Sequence, residues 1–571
     1  MSRLSLKQAA FLFLCTSHYL LCFVKVGIFF GGPAREREVS FAGGRTALAN
    51  LDKGLFEPVL VFVDGRGRFR QVSPEFLQAP SLRDVIPQDA SGFSVYDESL
   101  DSDALASSYP EIRPERFSAH FDIAFLAMHG PDCEDGAIQG LLEWYKMPYT
   151  GPGLVGSAIG INKILQNELI ALANGQQKKT ATINRDAWER ADKAQFFQSL
   201  IDHLGLPIVV KAPHQGSSIG VAIVREPDLA LFCRSVEQCF FTMSVQPDGF
   251  SKLSEWGELS ADEKRELAQT MVSLDSGISF PVVIEQTGEV IRHPQTLIDK
   301  LDSMQGQPLT LASVNAEDDV LFEEFISGQE FSCGVIQDDD GRAIALPPTE
   351  IYNVTSFDFE SKYKLNTTKK RIPVATSLEN NRKIQLAVAE VFTKLGINVY
   401  ARIDGFLTPD ERVLLHDPNT IPGMSPSSLI FKQMAEIGLN LTNSLTYLIR
   451  QSLRERIRTG KNTFHLKRLL TDLDTQLANR KMNPLPERVV SFGPSDEGFA
   501  EAKQEYNRLA ASGEVRPSLV YLKSKVENYE IPVNLLFKET VEELEAALSQ
   551  PRHPLLIETT EQARHITERY V

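Results

Sequence analysis

Cysteine is scarce in this chain of 571 residues. It occurs six times (Cys15, Cys22, Cys133, Cys233, Cys239, Cys333), and no two form a CxxC pair. The pattern is neither a disulfide framework nor a paired-thiol metal site, and reads as reduced thiols in a cytoplasmic protein. Positive charge is also short: 59 Lys and Arg stand against 75 Asp and Glu, a net −16. That argues against a general nucleic-acid binder, so any anionic ligand must be held by a local basic site. No Walker A loop occurs; Gly460-Lys461 is followed by Asn462 and lacks the upstream glycine. The G-x-G-x-x-G match, GPGLVG at 151–156, follows only the short PYT and is not trailed by a strand ending in an acid. It is therefore not read as a dinucleotide site.

A long apolar run is found near the start, residues 9–24, behind Arg3 and Lys7. It looks like a signal-peptide core, but no A-x-A-like site follows and a strand signal begins at once. The run is short for a membrane span and carries His18. The expectation is a cytoplasmic protein with no stable membrane insertion; a tether and a wrongly assigned start stay open.

What is present is a globular composition, 42% hydrophobic and 23% charged, long enough for several domains. VKVGIFFGG (24–32) predicts a buried strand and glycine turn, SFAGGRTALANL a helix, PVLVFVD and FDIAFLAMHG strands, and GAIQGLLEWYKM an amphipathic helix. Alternating β and α predicts an open α/β domain over 24–155. LPIVVKAPHQGSSIGVAIV (206–224) reads as strand, loop, strand. Lys211 ends its first strand, and the small residues of the loop expose N–H groups able to cover phosphates. Residues 225–318 are irregular in pattern. VLFEEFISGQEFSCGVIQ gives two strands around a Ser-Gly turn, and 382–395 reads as helix. Strand, turn, helix and strand recur at 26–63 and 489–522, which suggests a duplicated βαβ unit.

The richest polar cluster lies in YARIDGFL and RVLLHDPN, two apolar runs separated by a Pro409-Asp410 turn. A hairpin there carries Asp404, Asp417 and Asn419 to one face. Such hard oxygen ligands suit Mg²⁺ beside a nucleotide's phosphates; a solvated hairpin is the plain alternative.

Seven motifs in order, FFGGPAREREVS, AMHGPDCEDGAIQGLLE, VVKAPHQGSSIGVA, FEEFISGQEF, FESKYKLN, YARIDGFL and DPNTIPGMSPSSL, resemble the D-alanine–D-alanine ligase family of the ATP-grasp superfamily. The resemblance covers about 24–450. It implies mixed α/β and α+β architecture: an N-terminal α/β domain (24–155), a central ATP-grasp domain (156–320) with an insertion around 231–310, and a C-terminal ATP-grasp domain (321–450). An extension (451–571) follows, a degenerate repeat of the first βαβ unit. The implied activity is ATP-dependent joining of two D-alanines through an acyl phosphate, for peptidoglycan precursors.

By the same resemblance Asp404, Asp417 and Asn419 hold Mg²⁺ or Mn²⁺, and Lys163 and Lys211 bind phosphates. Glu323 accepts from the adenine amine, Glu330 holds the ribose, and the backbone into Phe325 follows the adenine edge. Glu36 holds the first D-alanine's ammonium, with His129 near its carboxylate. Arg402 and the Gly423 N–H form the oxyanion hole. Ser428 and Leu429 meet the second D-alanine. Lys362 and Tyr363 lie in a closing loop, where Tyr363 bonds to Ser217, which reaches Glu36. The family usually has Glu at 417; the shorter Asp implies that the second of two ions is held weakly. ATP and D-alanine are the implied partners, with no nucleic acid; a homodimer stays open. Two other readings stand beside this one: a related ligase with another amino-acid or hydroxy-acid acceptor, and a non-catalytic ATP-binding regulator or scaffold.

Overall fold

The computed structural model describes residues 23–65, 67–85, 109–216, 218–245, 259–271, 278, 281–303, 309–352, 369–460 and 463–570. Ser217, Lys362 and Tyr363 lie outside the described residues, as does most of the apolar run at 9–24.

The first sheet is built on β1 (Val24–Gly31), which pairs in parallel with β2 (Phe56–Val63); β3 (Phe69–Val72) runs antiparallel to β2, and β4 (Ile123–Leu126) flanks β1 in parallel. Their order is β3-β2-β1-β4. A strand buried on both faces needs a near-continuous apolar run, which VGIFF supplies. Its phenylalanines pack edge-on: Phe29 meets Phe69, Phe117 and Phe121 at ring-centroid separations of 5.5–5.6 Å. The crossover helix Arg37–Asn50 lies close over β1 because Gly44 has no side chain; a Cβ there would stand 2.7 Å from the Phe30 ring. PYTG contributes a single parallel bridge between Ala124 and Tyr149.

The second sheet has the order β5-β12-β6-β7, with β5 (Thr180–Asn184), β6 (Ile208–Lys211), β7 (Val221–Val224) and, later in the chain, β12 (Asp319–Glu324), all antiparallel. Between them, residues that read as irregular form a sheet of their own. Strands β8 (Thr242–Val245), β9 (Val282–Ile284), β10 (Glu289–Ile291) and β11 (Leu309–Ser313) take the order β10-β9-β11-β8. Helices Ala261–Met271 and Pro294–Ser303 add Leu267, Leu297 and Leu301 to its separate core. Its three- to five-residue strands are too short for a clear alternation, which explains the weak signal.

The third sheet joins β13 (Gln329–Gln337), β14 (Ala343–Ala345), β15 (Thr349–Tyr352), β16 (Lys369–Arg371), β17 (Tyr400–Leu407) and β18 (Val413–Asn419). The main order is β16-β15-β13-β17-β18, with β14 on β13. Helices Lys163–Asn174 and Leu378–Lys394 pack on it through Ile170, Ile384, Val388 and Val391. The loop joining β12 to β13 therefore links the second and third sheets, and the groove between them opens beside it.

Beyond 450 the chain stays attached. Helix Leu441–Thr459 is almost wholly buried, and helix Phe464–Met482 packs against it through Leu469, Leu473 and Leu477. Strands β19 (Glu487–Phe492) and β20 (Arg516–Leu522) are parallel and joined by helix Asp496–Ser512; β21 (Asn528–Glu530) pairs antiparallel with β20. This unit has the β-α-β order of β1, its helix and β2. The two crossover helices pack together, with Lys53 N donating to Ala511 O at 2.9 Å.

Candidate active site

The groove between the second and third sheets holds a cavity of about 560 Å³. Val209, Lys211, Val221 and Ile223 line one wall; Glu330, Ile351, Asp404, Phe406, His416 and Asp417 line the other; residues 323–329 close the end.

At that end Glu323, on β12, is buried. Its Oε1 accepts from Lys178 Nζ at 2.5 Å and from Asn167 Nδ2 at 2.7 Å, and its Oε2 accepts from Lys211 Nζ at 2.6 Å. Burial would raise its carboxyl pKa, but the two ammonium groups outweigh it and hold the pKa well below the usual range. Burial depresses the Lys178 ammonium; at Lys211 Glu323 and Asp417 overcome burial and raise it. Lys178 escaped the sequence reading. It lies in QQKKT before β5, where two adjacent lysines look like solvated charge.

The metal-type residues gather on β17 and β18, with one change from simple alternation. The ladder slips at Ile403/Asp404, so Ile403 pairs with Pro418 and Asp404 with His416. Asp417 is the extra residue, at φ 51°. The bulge turns its carboxylate toward helix Lys163–Asn174, where Lys163 Nζ lies 3.1 Å away. Lys163 also donates to the Gln215 carbonyl at 2.6 Å, tying the loop after β6 to the same spot. Burial opposes ionisation of Asp417, but Lys163, with His416 and Lys211, carries its pKa well below normal. Asp404 accepts from Ser332 Oγ at 2.6 Å and from Arg402 Nε at 3.2 Å. Asn419 Nδ2 lies 3.4 Å from Asp404 Oδ2 and 2.9 Å from the Asp417 carbonyl. Two carboxylates and an amide oxygen are a hard donor set that fits Mg²⁺ or Mn²⁺. Among the described residues no group of three or more His, Cys, Asp or Glu could hold a metal.

His416 was also missed. Its ring stacks on Phe406 at 5.2 Å between centroids, and both ring nitrogens are buried with no hydrogen-bond partner among the described residues. Burial, then Lys211 and Lys178, push its pKa down to about 4, so it is neutral.

A second cluster of polar groups lies just past the C-terminal ends of β1 and β4. Glu36, just before helix Arg37–Asn50, is buried, and its carboxylate approaches Gly130 and Gly216; a Cβ on Gly216 would stand 2.7 Å from Oε2. A side chain at 216 would therefore displace the tip of Glu36. His129 is buried, with Nδ1 3.9 Å from Glu134 Oε2. Burial pushes its imidazole down, yet Glu134 and Glu36 outweigh it, and the pKa lies above the ordinary value. Glu134 also accepts from the Gly130 N–H at 3.0 Å. It was legible only as part of the CEDG stretch.

Of the remaining expected residues, Glu330 lines the cavity beside Ile351 and Phe406, and Phe325 lies near the Arg225 guanidinium, 5.8 Å from its ring centroid. Gly423 has open space around its Cα. Ser428 precedes helix Leu429–Glu436, with no side-chain capping bond, and Leu429 is buried. The basic run Lys369-Lys370-Arg371 forms β16, where Arg371 binds Glu350 at 2.7 and 2.9 Å.

A lysine- and carboxylate-lined cavity between two antiparallel sheets, behind an open α/β domain, defines an ATP-grasp enzyme. Models of the D-ala D-ala ligase N-terminus and C-terminus match residues 25–152, and 169–232 with 301–450. The chain belongs to the D-alanine–D-alanine ligase family. It is 26% identical over 437 residues to D-alanine–D-alanine ligase A of Brucella melitensis, covering 75% of this chain and 98% of that protein. It is 25% identical over 448 residues to the enzyme of that name from Chromobacterium violaceum, covering 76% and 96%. The solved D-alanine–D-alanine ligase of Coxiella burnetii shares the fold, with a TM-score of 0.50 at 20% identity over 76% of this chain and 96% of that one. Residues 233–300 and those beyond 450 fall outside the matched family models. Among the described residues no helix is long and apolar enough to cross a membrane.

Proposed function

We propose that this chain condenses two D-alanines with conversion of ATP to ADP and phosphate, supplying a dipeptide for peptidoglycan precursors. The observation that carries this reading is the convergence of Lys163 on Asp417 and of Lys211 on Glu323 within one cavity. Both steps are displacements between anions, and such steps need fixed cations. The nucleotide lies between the second and third sheets, its base toward Glu323 and Phe325, its ribose toward Glu330, and its phosphates toward Lys163 and Lys211. Asp404, Asp417 and Asn419 would hold Mg²⁺ or Mn²⁺, which when bound screens the phosphate oxygens.

Glu36 binds the ammonium of the first D-alanine, and His129, whose pKa Glu134 and Glu36 raise, lies near that substrate's carboxylate. A carboxylate oxygen attacks the γ-phosphorus, the bond to ADP breaks, and an acyl phosphate forms. The amine of the second D-alanine, seated by Ser428 and Leu429, attacks the acyl carbon. Arg402 and the Gly423 N–H stabilise the resulting oxyanion; the amine loses a proton and phosphate leaves. The family resemblance assigns Lys362 and Tyr363 to a closing loop in which Tyr363 bonds to Ser217; all three lie outside the described residues.

The test is incubation of the protein with ATP, Mg²⁺ and D-alanine, with the product weighed by mass spectrometry. The expected result is D-alanyl-D-alanine with stoichiometric phosphate. A mixed dipeptide or a depsipeptide would move the chain to another acceptor, and no ATP turnover with any amino acid would overturn the ligase reading.

A further inference from the structure

Glu323 carries more donors than a base-reading carboxylate needs, and they are unevenly divided. Oε1 accepts from Lys178 and Asn167, while Oε2 accepts from Lys211. Each carboxylate oxygen has two in-plane lone pairs. Oε1 is therefore filled and Oε2 keeps one place. Lys178 is the deeper of the two lysines, with 6% of its side chain exposed against 15% for Lys211. Lys178 Nζ also lies 3.4 Å from Asn167 Oδ1, so these two residues brace each other behind the carboxylate.

We propose that Lys178 is a positioning residue for base recognition: by filling Oε1 it leaves Oε2 and Lys211 as an acceptor–donor pair that selects a 6-aminopurine over a 6-oxopurine. The inference rests on the nucleotide placement given above, with Lys211, held on Glu323 Oε2, facing N7 of the base as well as the nearest phosphate. A 6-aminopurine presents a donor at its amine beside an acceptor at N7, which complements this pair. A 6-oxopurine presents two acceptors, one of them against Oε2. Without Lys178 only Asn167 holds Oε1; the carboxylate is then free to rotate, and Lys211 to turn to the oxo group.

The experiment compares ATP with ITP in kcat/KM for dipeptide formation, and ADP with IDP in calorimetric binding, for the full-length chain and its variants. Wild type is expected to prefer the amino base strongly. In Lys178→Met the preference should fall roughly tenfold, with the KM for ATP rising more than kcat falls. Lys178→Arg should restore part of the preference. Lys178→Gln, which keeps a donor, serves if the Met variant fails to fold, and should lie between. Preference ratios within twofold of wild type in both Met and Gln variants would overturn the proposal and leave Lys178 as charge compensation alone. Equal binding of ADP and IDP by wild type would overturn it too. If no dipeptide forms but the ADP/IDP preference shifts as stated, the ligase reading fails and this one stands; no nucleotide binding at all would overturn both.

Discussion

Asp417 sits at φ 51°, a conformation that Asn and Asp adopt far more readily than other side chains. Asp417→Asn should therefore keep the bulge while removing the charge that faces Lys163. Turnover should nearly vanish at limiting Mg²⁺, read from a Mg²⁺ titration; wild-type rates there would remove Asp417 from the metal set. Asp417→Glu is a less clean exchange, since a longer non-Asx side chain at positive φ costs about 1–2 kcal/mol. It should lower the Mg²⁺ requirement while also lowering Tm. In the proposed oxyanion role Arg402 acts on charge that appears only during the reaction, so Arg402→Met should cut kcat by roughly 10²–10³-fold. The KM for ATP should change far less, although Arg402 also pairs with Asp404 at 3.2 Å. His416 predicts a pH effect. Its folded pKa of about 4 lies below the ordinary 6.5, so between these values the unfolded chain binds the extra proton. Its contribution is full above about pH 6.5 and is lost as pH falls toward 4, by about 3 kcal/mol. Urea denaturation of nucleotide-free protein across that range should show the loss, and His416→Leu should flatten the slope.

At the scale of elements, the sheet inserted between β7 and β12 is joined to the rest by a narrow neck. Thr242 pairs with Ala312 across β8 and β11, and Ser313 N donates to Phe241 O at 3.0 Å. The two ends of the insertion are thus ladder neighbours. Its core of Ile284, Ile291, Leu297 and Leu311 is separate from the cluster of Phe232, Phe240, Phe241 and Phe322 beneath the second sheet. Replacing residues 243–311 by a short glycine turn should leave a cooperatively folding protein whose Tm falls by only a few degrees. Circular dichroism melts would check this, and loss of a cooperative transition would show that the insertion is integral. A close salt bridge that crosses the neck, Arg185 to Glu285 at 2.5 Å, is partly exposed and contributes little.

The whole molecule behaves differently at its other end. Arg450 is buried between Asp339, at 2.7 Å, and Asp474, at 2.5 Å, and Arg569 reaches Asp339 at 2.9 Å. Arg480 grips Asp52 of the first domain at 2.5 and 3.1 Å, and Arg382 meets Glu558 on the last helix. Leu469, Leu473, Leu477, Ala563 and Ile566 belong to the same apolar core as Val26, Phe30 and Tyr447. The residues after 459 are therefore part of the body that holds the first and third sheets together. A chain ending at 459 uncovers that core and leaves Arg450 short of one partner, a loss of several kcal/mol. It should be insoluble or melt well below the full chain, measured by expression yield and calorimetry. A soluble fragment with the parent Tm would show the extension to be an appendage.

By itself the sequence determined the order of most elements and the residue types they bring to the groove. Apolar runs such as VGIFF and YARIDGFL announce strands because burial on both faces demands them, and the ordered motifs marked Lys211, Glu323, Asp404 and Asn419 before any contact was seen. Tertiary structure alone decided what depends on residues far apart in the chain. That Lys178 is a buried partner of Glu323, 145 positions away, follows from β5 pairing with β12 and cannot be read from two adjacent lysines. That Asp417 faces Lys163 follows from a one-residue slip in the β17–β18 ladder, which strand alternation does not contain. The insertion's sheet and the burial of the final helices were illegible for the same reason. Periodicity records which face of an element avoids water, whereas the partner that covers that face is set by chain topology and packing.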